Sequence, residues 1–142
     1  MRVSFVVLSL SLALISVPAR AAIPLGDDAA NAMIELLEWY GSQWQPIHNH
    51  GNRLSAKDVS CEKGFRSTTS IPKDFSRCHF TDTANGKIIS ISGRDADLLY
   101  GFLARAGFRE IKNDESTSIN AVEISCRALH SPMGSQLSCT LE

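Results

Sequence analysis

The chain has 142 residues, with 14 Lys and Arg against 15 Asp and Glu, and 44% of its residues are hydrophobic. This length suits one domain of ordinary size. The formal charge of −1 lacks the basic excess typical of nucleic-acid-binding proteins, so we expect no nucleic-acid partner. A charged fraction of 20% also argues against a disordered chain.

Residues 1–21 have the pattern of a secretory signal peptide. A short basic start precedes an uncharged, mostly apolar run, and Ala19-Arg20-Ala21 is a small-residue cleavage motif. A membrane anchor is the alternative, but a bilayer span needs about 20 apolar residues and this run is shorter. We therefore expect cleavage near Ala21 and a single mature domain, residues 22–142, that is periplasmic or secreted and does not span the membrane. The lack of an Asn-x-Ser/Thr motif favours a bacterial source.

A first amphipathic helix is predicted between Asp27 and Tyr40. The acidic residues Asp27 and Asp28 suit the positive end of the helix dipole, and Gly41 suits a helix stop. Apolar residues recur at helical spacing, so one face of this helix is expected to pack on the core. That face consists of Ala29, Met33, Leu36, Leu37 and Tyr40.

Two histidines, His48 and His50, lie in the polar segment after this helix. Side chains at i and i+2 of an extended segment point the same way and can chelate a borderline metal such as zinc. His79 and His130 are candidates for a third ligand. The segment is also rich in turn-forming residues, so a surface loop is the favoured interpretation. A periplasmic metal-binding protein that uses His48 and His50 is the alternative function.

Short alternating segments around Cys61 and Cys78 predict two neighbouring strands. Asn85-Gly86 is typical of a two-residue type I′ turn, which would place Phe80 opposite Ile91 in a hairpin. The cysteine and the apolar residues of this hairpin would then share one face. A Cys61–Cys78 disulfide would close the preceding strand onto the hairpin.

The segment between these cysteines, Glu62–Arg77, is predicted to be a disulfide-anchored loop with a local excess of two positive charges. Aromatic and basic side chains are interleaved in it, a composition typical of protein-binding hot spots. The candidate partner-binding residues are Phe65, Arg66, Lys73 and Phe75. The alternative is that the phenylalanines fold back over the sheet while the charges are simply solvated.

A second helix is predicted for Arg94–Ala106. Ser92 and Asp95 have the spacing of a capping box, and Gly107 suits the helix end. Asp95 and Asp97 are interpreted as partners of the helix dipole rather than as an acid–base pair. The expected core face consists of Ala96, Leu99, Phe102, Leu103 and Ala106.

The C-terminal residues predict another hairpin, after a candidate short strand at Phe108–Lys112. Placing Cys126 opposite Cys139 puts the alternating apolar residues of both strands on one face, and a slip of one residue would destroy this match. We therefore predict the disulfides Cys61–Cys78 and Cys126–Cys139. Neither has the Cys-x-x-C spacing of redox or zinc motifs. The apolar residues on this face are Val122, Ile124, Ala128, Leu137 and Leu141.

The predicted elements follow the order α-β-β-β-α-β-β, typical of an α+β fold with a small antiparallel sheet of about five strands and two helices on one face. We find no internal repeat, because the similarity of the two cysteine hairpins does not extend to their flanking residues. Nucleophile-elbow, zinc-protease and phosphate-loop motifs are absent, so we expect no catalytic residue, metal or cofactor. The sequence thus predicts a non-enzymatic exported protein that binds another macromolecule, of inhibitor, immunity or envelope-adaptor type.

Overall fold

A computed structural model describes residues 22–47, 51–66, 73–131 and 134–142, and only the backbone of residues 65–66, 73–74, 130–131 and 134–135. The predicted signal peptide and the pair His48 and His50 lie outside the described residues. No helix within these ranges is long and apolar enough to cross a bilayer. The elements are β1 (Ile23–Pro24), α1 (Asp27–Trp39), β2 (Gln45–Ile47), β3 (Gly51–Arg66), β4 (Lys73–Asp82), β5 (Ile88–Ser92), α2 (Arg94–Arg105), β6 (Glu110–Lys112), β7 (Ser116–Ser131) and β8 (Gly134–Leu141).

The strands form one antiparallel sheet in which neighbours follow the order β1-β8-β7-β3-β4-β5. The short strands β2 and β6 pair with the beginnings of β3 and β7. The predicted α+β class, both helices and both disulfides are confirmed. The sheet has eight strands instead of about five because β1 and β2 contain two and three residues, too few for an alternating pattern to be recognised.

The C-terminal hairpin has the predicted register, with Cys126 opposite Cys139 and most of their apolar neighbours on the buried face. Val122 departs from the prediction, since its side chain is 62% exposed. The reason is a change of face in β7: Ala121 and Ile124 are both buried, although strict alternation would place them on opposite faces.

Strand β3 changes face at the matching point. Leu54 and Ala56 are buried before it, and Val59 and Cys61 are buried after it. Between them, Asp58 has a left-handed backbone with φ 53°, and the register of β3 on β4 shifts there. Because the residues flanking Asp58 pair with those flanking Val122, the two central strands bend together and one core continues across the bend.

The β4–β5 hairpin differs from its predicted register by two residues, because Phe80 lies opposite Ile89 rather than Ile91. Asn85-Gly86 forms the second part of a four-residue connection: the Asp82 N–H donates to the Lys87 carbonyl, and the Gly86 N–H donates to the Asp82 carbonyl. A shift of two residues preserves the face of every side chain. The predicted apolar face is therefore retained.

The predicted loop Glu62–Arg77 is mostly a strand pair, and that part of the prediction is wrong. Strand β3 continues past Cys61 to Arg66, and β4 already begins at Lys73. Polar and charged residues occupy both faces of this extension, so its sequence lacks the alternation that marks a half-buried strand. Cross-strand contacts, including an Arg77 guanidinium 2.9 Å from the Glu62 carboxylate, accompany the pairing instead.

Both helices end at the predicted glycines. Gly41 and Gly107 adopt positive φ values of 99° and 90°, which favour glycine at the residue after a helix. The buried faces agree with the predictions at most positions, but Ala30 and Ile34 replace Ala29 in α1, and Tyr100 joins the buried face of α2.

The predicted capping box of Ser92 and Asp95 is wrong. The residue at the N-cap of α2 is Gly93, and no side chain caps the helix. Ser92 remains in β5, opposite Arg77 of β4. The Asp95 carboxylate accepts a hydrogen bond from the Tyr40 hydroxyl, which joins the end of α1 to the first turn of α2.

The order of elements repeats within the chain. A helix, a three-residue strand, a 16-residue strand and a closing strand occur once as α1-β2-β3-β4 and again as α2-β6-β7-β8. Cys61 and Cys126 occupy the same position in the two 16-residue strands. The helices also match at identical spacing, with Ala30, Met33, Leu37 and Gly41 corresponding to Ala96, Leu99, Leu103 and Gly107.

Each helix packs on the hairpin of the other repeat, since α1 contacts mainly β8 and α2 contacts mainly β4. The Sγ of Cys139 lies 3.6 Å from the Ala30 carbonyl oxygen, and the Sγ of Cys78 lies 3.4 Å from that of Ala96. We call α2 with β3 and β4 the Cys61 half, and α1 with β7 and β8 the Cys126 half. The two halves share one core.

Candidate functional site

A groove of about 500 Å³ lies in the Cys61 half, where α2 and β6 meet β3 and β4. Lys63 and Ser76 are cross-strand partners of β3 and β4, two residues beyond the disulfide. Helix α2 contributes Asp97 and Tyr100, one turn apart, and β6 contributes Glu110. Alternation in the strands and helical spacing in α2 therefore bring these side chains together.

The Asp97 carboxylate is held by two donors from the sheet. The Ser76 hydroxyl donates to Oδ1 at 2.5 Å, and Lys63 Nζ lies 3.1 Å from the same oxygen. The hydrogen bond from Ser76 and then the contacts with Lys63 lower the pKa of Asp97 below its ordinary value. Asp97 is thus more than a partner of the helix dipole, because it joins α2 to the β3–β4 pair.

Tyr100 forms the inner wall of the groove. Its hydroxyl donates to Oε1 of Glu110 at 2.7 Å, and Lys63 Nζ lies 4.8 Å from the centre of its ring. Burial raises the pKa of Tyr100 strongly, and the hydrogen bond and negative charge of Glu110 raise it further. The phenol therefore stays protonated and donates to Glu110 throughout the physiological pH range.

The two carboxylates of the groove are thus engaged, whereas its cations retain free donors. Lys63 has one ion-pair contact, with Asp97, and Lys112 has no carboxylate within 4.0 Å in the described part of the chain. Both lysines line the same groove, together with Thr117. The arrangement can accept a carboxylate, because an ammonium group has three N–H donors and no acceptor.

The Cys126 half carries apolar residues where the Cys61 half carries this polar cluster. Ala128 and Leu137 are the cross-strand pair two residues beyond the Cys126–Cys139 disulfide. When the two repeats are aligned on their cysteines and helix alanines, Ala128 and Leu137 correspond to Lys63 and Ser76, and Ile34 of α1 corresponds to Tyr100. Ala128 and Ile34 are buried, at 8% and 7% exposed, whereas Leu137 is 37% exposed, so this counterpart is an apolar patch at the margin of the core. The fold does not require polar groups at this position.

The predicted partner-binding residues lie on the extension of the β3–β4 hairpin, next to the groove. Phe65 pairs with Asp74, and Arg66 pairs with Lys73 at the last described pair of the hairpin. The side chains of Phe65, Arg66 and Lys73 lie outside the described part, so their interpretation stays a prediction.

Phe75 is the one predicted partner-binding residue whose side chain is described. Its ring is half-buried and lies 5.3 Å from the guanidinium of Arg77. Gly64 sits directly opposite, where a Cβ would come within 2.5 Å of the ring. The absence of a side chain at Gly64 therefore allows the ring to lie across β3. Phe75 also belongs to the lining of the groove.

Of the four histidines predicted as possible metal ligands, only His79 has a described side chain. Among the described residues, no group of three or more His, Cys, Asp or Glu side chains has an arrangement that could hold a metal ion. His79 is exposed in β4, opposite Ser90. The side chain of His130 is outside the description, as are His48 and His50.

Sequence reasoning missed most of the groove. Ser76 and Glu110 were assigned no role, and Tyr100 lay outside the predicted core face of α2. One pattern is visible in the sequence. The residues two positions after Cys61 and two before Cys78 are the polar Lys63 and Ser76, whereas the matching residues near Cys126 and Cys139 are the apolar Ala128 and Leu137. Comparisons with protein-family models, curated proteins and solved structures found no match for this chain.

Proposed function

We propose that this is a small exported, non-enzymatic protein that binds another protein, of the inhibitor, immunity or envelope-adaptor type. In this proposal an acidic side chain of the partner enters the groove between Lys63 and Lys112. The neighbouring hairpin extension, with Phe75, Arg66 and Lys73, contacts the surface around that side chain. The observation that carries the proposal is the polar groove at a position where the other half of the molecule has the apolar side chains of Ala128, Leu137 and Ile34.

The chemistry of the groove favours a carboxylate as the group that enters it. Asp97 and Glu110 already accept hydrogen bonds from Ser76 and Tyr100, and the charge of Asp97 is balanced by the ion pair with Lys63. Lys112 forms no ion pair with a described residue, and Lys63 retains N–H donors beyond the one directed at Asp97, so both lysines can attract an anion. A charge-assisted hydrogen bond in such a partly enclosed site is about twice as strong as a neutral one.

The hairpin extension provides the surrounding contact area. Arginine and aromatic residues are enriched at binding hot spots because they combine a large apolar surface with directional hydrogen bonding. Phe75 and Arg77 already stack on each other, so little side-chain freedom is lost when a partner covers them.

Export is supported by the cysteines. The described chain holds two disulfides and no free cysteine, which indicates an oxidising compartment. The signal-peptide pattern of residues 1–21 agrees with that compartment. A periplasmic or secreted inhibitor of this size would gain resistance to unfolding from both bridges.

The proposal is tested by quantitative capture from bacterial envelope and culture extracts, using the purified disulfide-bonded domain as bait. We expect a protein that is enriched by the unchanged domain and reduced at least about tenfold with Lys112→Ala. Lys57→Ala is the matched control, because Lys57 is also exposed but lies outside the groove. Arg66→Ala combined with Phe75→Ala tests the hairpin extension in the same way.

Two results would contradict the proposal. One is the absence of any protein enriched over a bait-free control. The other is equal capture by the Lys112→Ala and Lys57→Ala variants, which would show that the groove is not the contact. Circular dichroism and thiol titration of each variant verify that the fold and both disulfides are intact.

A further inference from the structure

Strand β5 forms an open edge of the sheet. It is the last strand in the sheet order and pairs only with β4 among the described strands. Its five residues, Ile88–Ser92, contain no charge and no proline. Ile88 is 74% exposed, and Ser90 and Ser92 are exposed as well. An edge of this kind is a template for pairing with another strand.

The hydrogen bonds of β4 show which backbone groups of β5 are unused. Lys87 accepts from the Asp82 N–H, and Gly93 donates to the Ser76 carbonyl. In an antiparallel ladder the residues directed toward one neighbour alternate with those directed away from it. The N–H and C=O groups of Ile88, Ser90 and Ser92 therefore point away from β4, out of the sheet edge.

The opposite edge of the sheet lacks this character. Strand β1 has only two residues, Ile23 and Pro24, and proline has no N–H to donate. The two edges of the sheet thus differ sharply: one is short and contains proline, and the other is longer, uncharged and rich in exposed donors and acceptors.

Basic residues lie at both ends of the β5 edge. Lys87 comes immediately before the strand and Arg94 shortly after it, and both are exposed. Two copies of this chain that paired antiparallel through β5 would bring these like charges together. A strand with acidic residues at both ends would instead match them.

We propose that β5 binds an extended segment of another protein, which adds to the sheet as an antiparallel strand and carries acidic residues near both ends. The backbone groups of Ile88, Ser90 and Ser92 supply the pairing, as in other cases of strand addition. Lys87 and Arg94 select the charge of the segment. This contact lies at the sheet edge and does not depend on the groove.

The probe is the peptide acetyl-Glu-Thr-Val-Thr-Val-Thr-Glu-amide, titrated into the ¹⁵N-labelled disulfide-bonded domain. We expect saturable NMR shift changes centred on the amides of Ile88, Ser90 and Ser92, and slower hydrogen exchange of the same amides. The same peptide with lysines in place of both glutamates should bind several-fold more weakly.

Ser90→Pro removes one of the outward N–H groups, and Ser90→Ala is its control because it removes only the hydroxyl. The proline variant should weaken binding at least about tenfold, whereas the alanine variant should leave it unchanged. If Ser90→Pro disturbs the fold, a peptide with an N-methylated central threonine, the residue placed opposite Ser90, tests the same hydrogen bonds on the unchanged protein.

The proposal is overturned if no saturable shifts occur, if the lysine peptide binds as tightly as the glutamate peptide, or if the N-methylated peptide binds equally well. Lys112→Ala serves to separate this edge from the groove. It should leave peptide binding at β5 intact even though it is expected to reduce the capture predicted under the proposed function at least about tenfold.

Discussion

The Cys61 half and the Cys126 half place a disulfide and a helix alanine in the same arrangement. They differ at the cross-strand pair that lies two residues from the disulfide, toward the closed end of each hairpin. The Cys126 half has Ala128 and Leu137 there, whereas the Cys61 half has Lys63 and Ser76. Since the two arrangements share one scaffold, the apolar version shows what the fold needs. Lys63 and Ser76 are polar side chains that the shared arrangement of helix and hairpin does not need.

The largest expected effect concerns the feature that the halves have in common. Replacing both cysteines of either disulfide with alanine should lower the free energy of unfolding by about 3 kcal/mol, because the unfolded chain gains loop entropy. The bridged residues are 17 and 13 positions apart, so the two losses should be nearly equal. Urea denaturation of both double variants measures them. A difference of more than about 2 kcal/mol would show that the halves are not energetically equivalent.

The next effect separates the halves at their matched helix positions. Ile34→Ala in the Cys126 half removes buried methyl groups and should cost about 2–4 kcal/mol in unfolding free energy. Tyr100→Phe in the Cys61 half keeps the ring and removes only the hydroxyl bound to Glu110, so it should cost about 1 kcal/mol. Thermal or urea unfolding measures both. Equal losses would mean that the hydroxyl of Tyr100 is as important to the fold as core packing.

A third effect concerns alkaline pH and both tyrosines of the chain. Burial is the main cause of the raised pKa of Tyr100, and the hydrogen bond to Asp95 is the main cause of the raised pKa of Tyr40. Because the folded state holds both phenolic protons more tightly than the unfolded state does, this contribution is intact below the ordinary tyrosine pKa of 10.0 and is lost as the pH rises above it. Phenolate absorbance should therefore lag behind that of the urea-unfolded chain, and stability should fall above this pH. Coinciding titration curves would contradict the prediction.

The smallest expected effect on stability comes from giving the groove the residues of its counterpart. The combined change Lys63→Ala, Ser76→Leu and Asp97→Asn copies Ala128, Leu137 and Asn31. Lys63 and Asp97 are well exposed, so the unfolding free energy should change by less than about 1 kcal/mol, although capture of a partner should be lost. Urea denaturation and the capture assay are the two measurements. A large loss of stability would assign the polar cluster to the fold rather than to binding.

Local patterns were sufficient to predict much of the fold. The alternation on both sides of Cys126 and Cys139 excluded a slip of one residue, which would expose the apolar residues, and placing the two cysteines opposite each other then gave the observed register. The Asn85-Gly86 dipeptide predicted a hairpin register that is two residues from the observed one, because the dipeptide does not define the length of the connection. The longer turn is closed by backbone hydrogen bonds of Asp82, which the sequence pattern does not show. The change of face at Asp58 was also unreadable, since aspartate is not a residue that marks left-handed backbone as glycine does.

The groove was harder to predict than the fold because its residues come from distant parts of the chain. Tyr100 and Asp97 look like ordinary helix residues until α2 is placed on the β3–β4 pair of the other repeat. The repeat itself was detectable from the spacing of Ala30 and Gly41 relative to that of Ala96 and Gly107. The residues that flank the cysteines differ between the two repeats, so they do not reveal it.

The exchange of helices between repeats also limits how the chain can be divided. A single repeat, separated from the other, would lack the helix that mainly covers its closing strand, since α1 packs mainly on β8 and α2 mainly on β4. Such a fragment could become a closed domain only by pairing with a second copy that supplied the missing helix. The described part of the chain therefore resembles a domain-swapped dimer joined into one polypeptide, because each helix packs mainly on the hairpin of the other repeat.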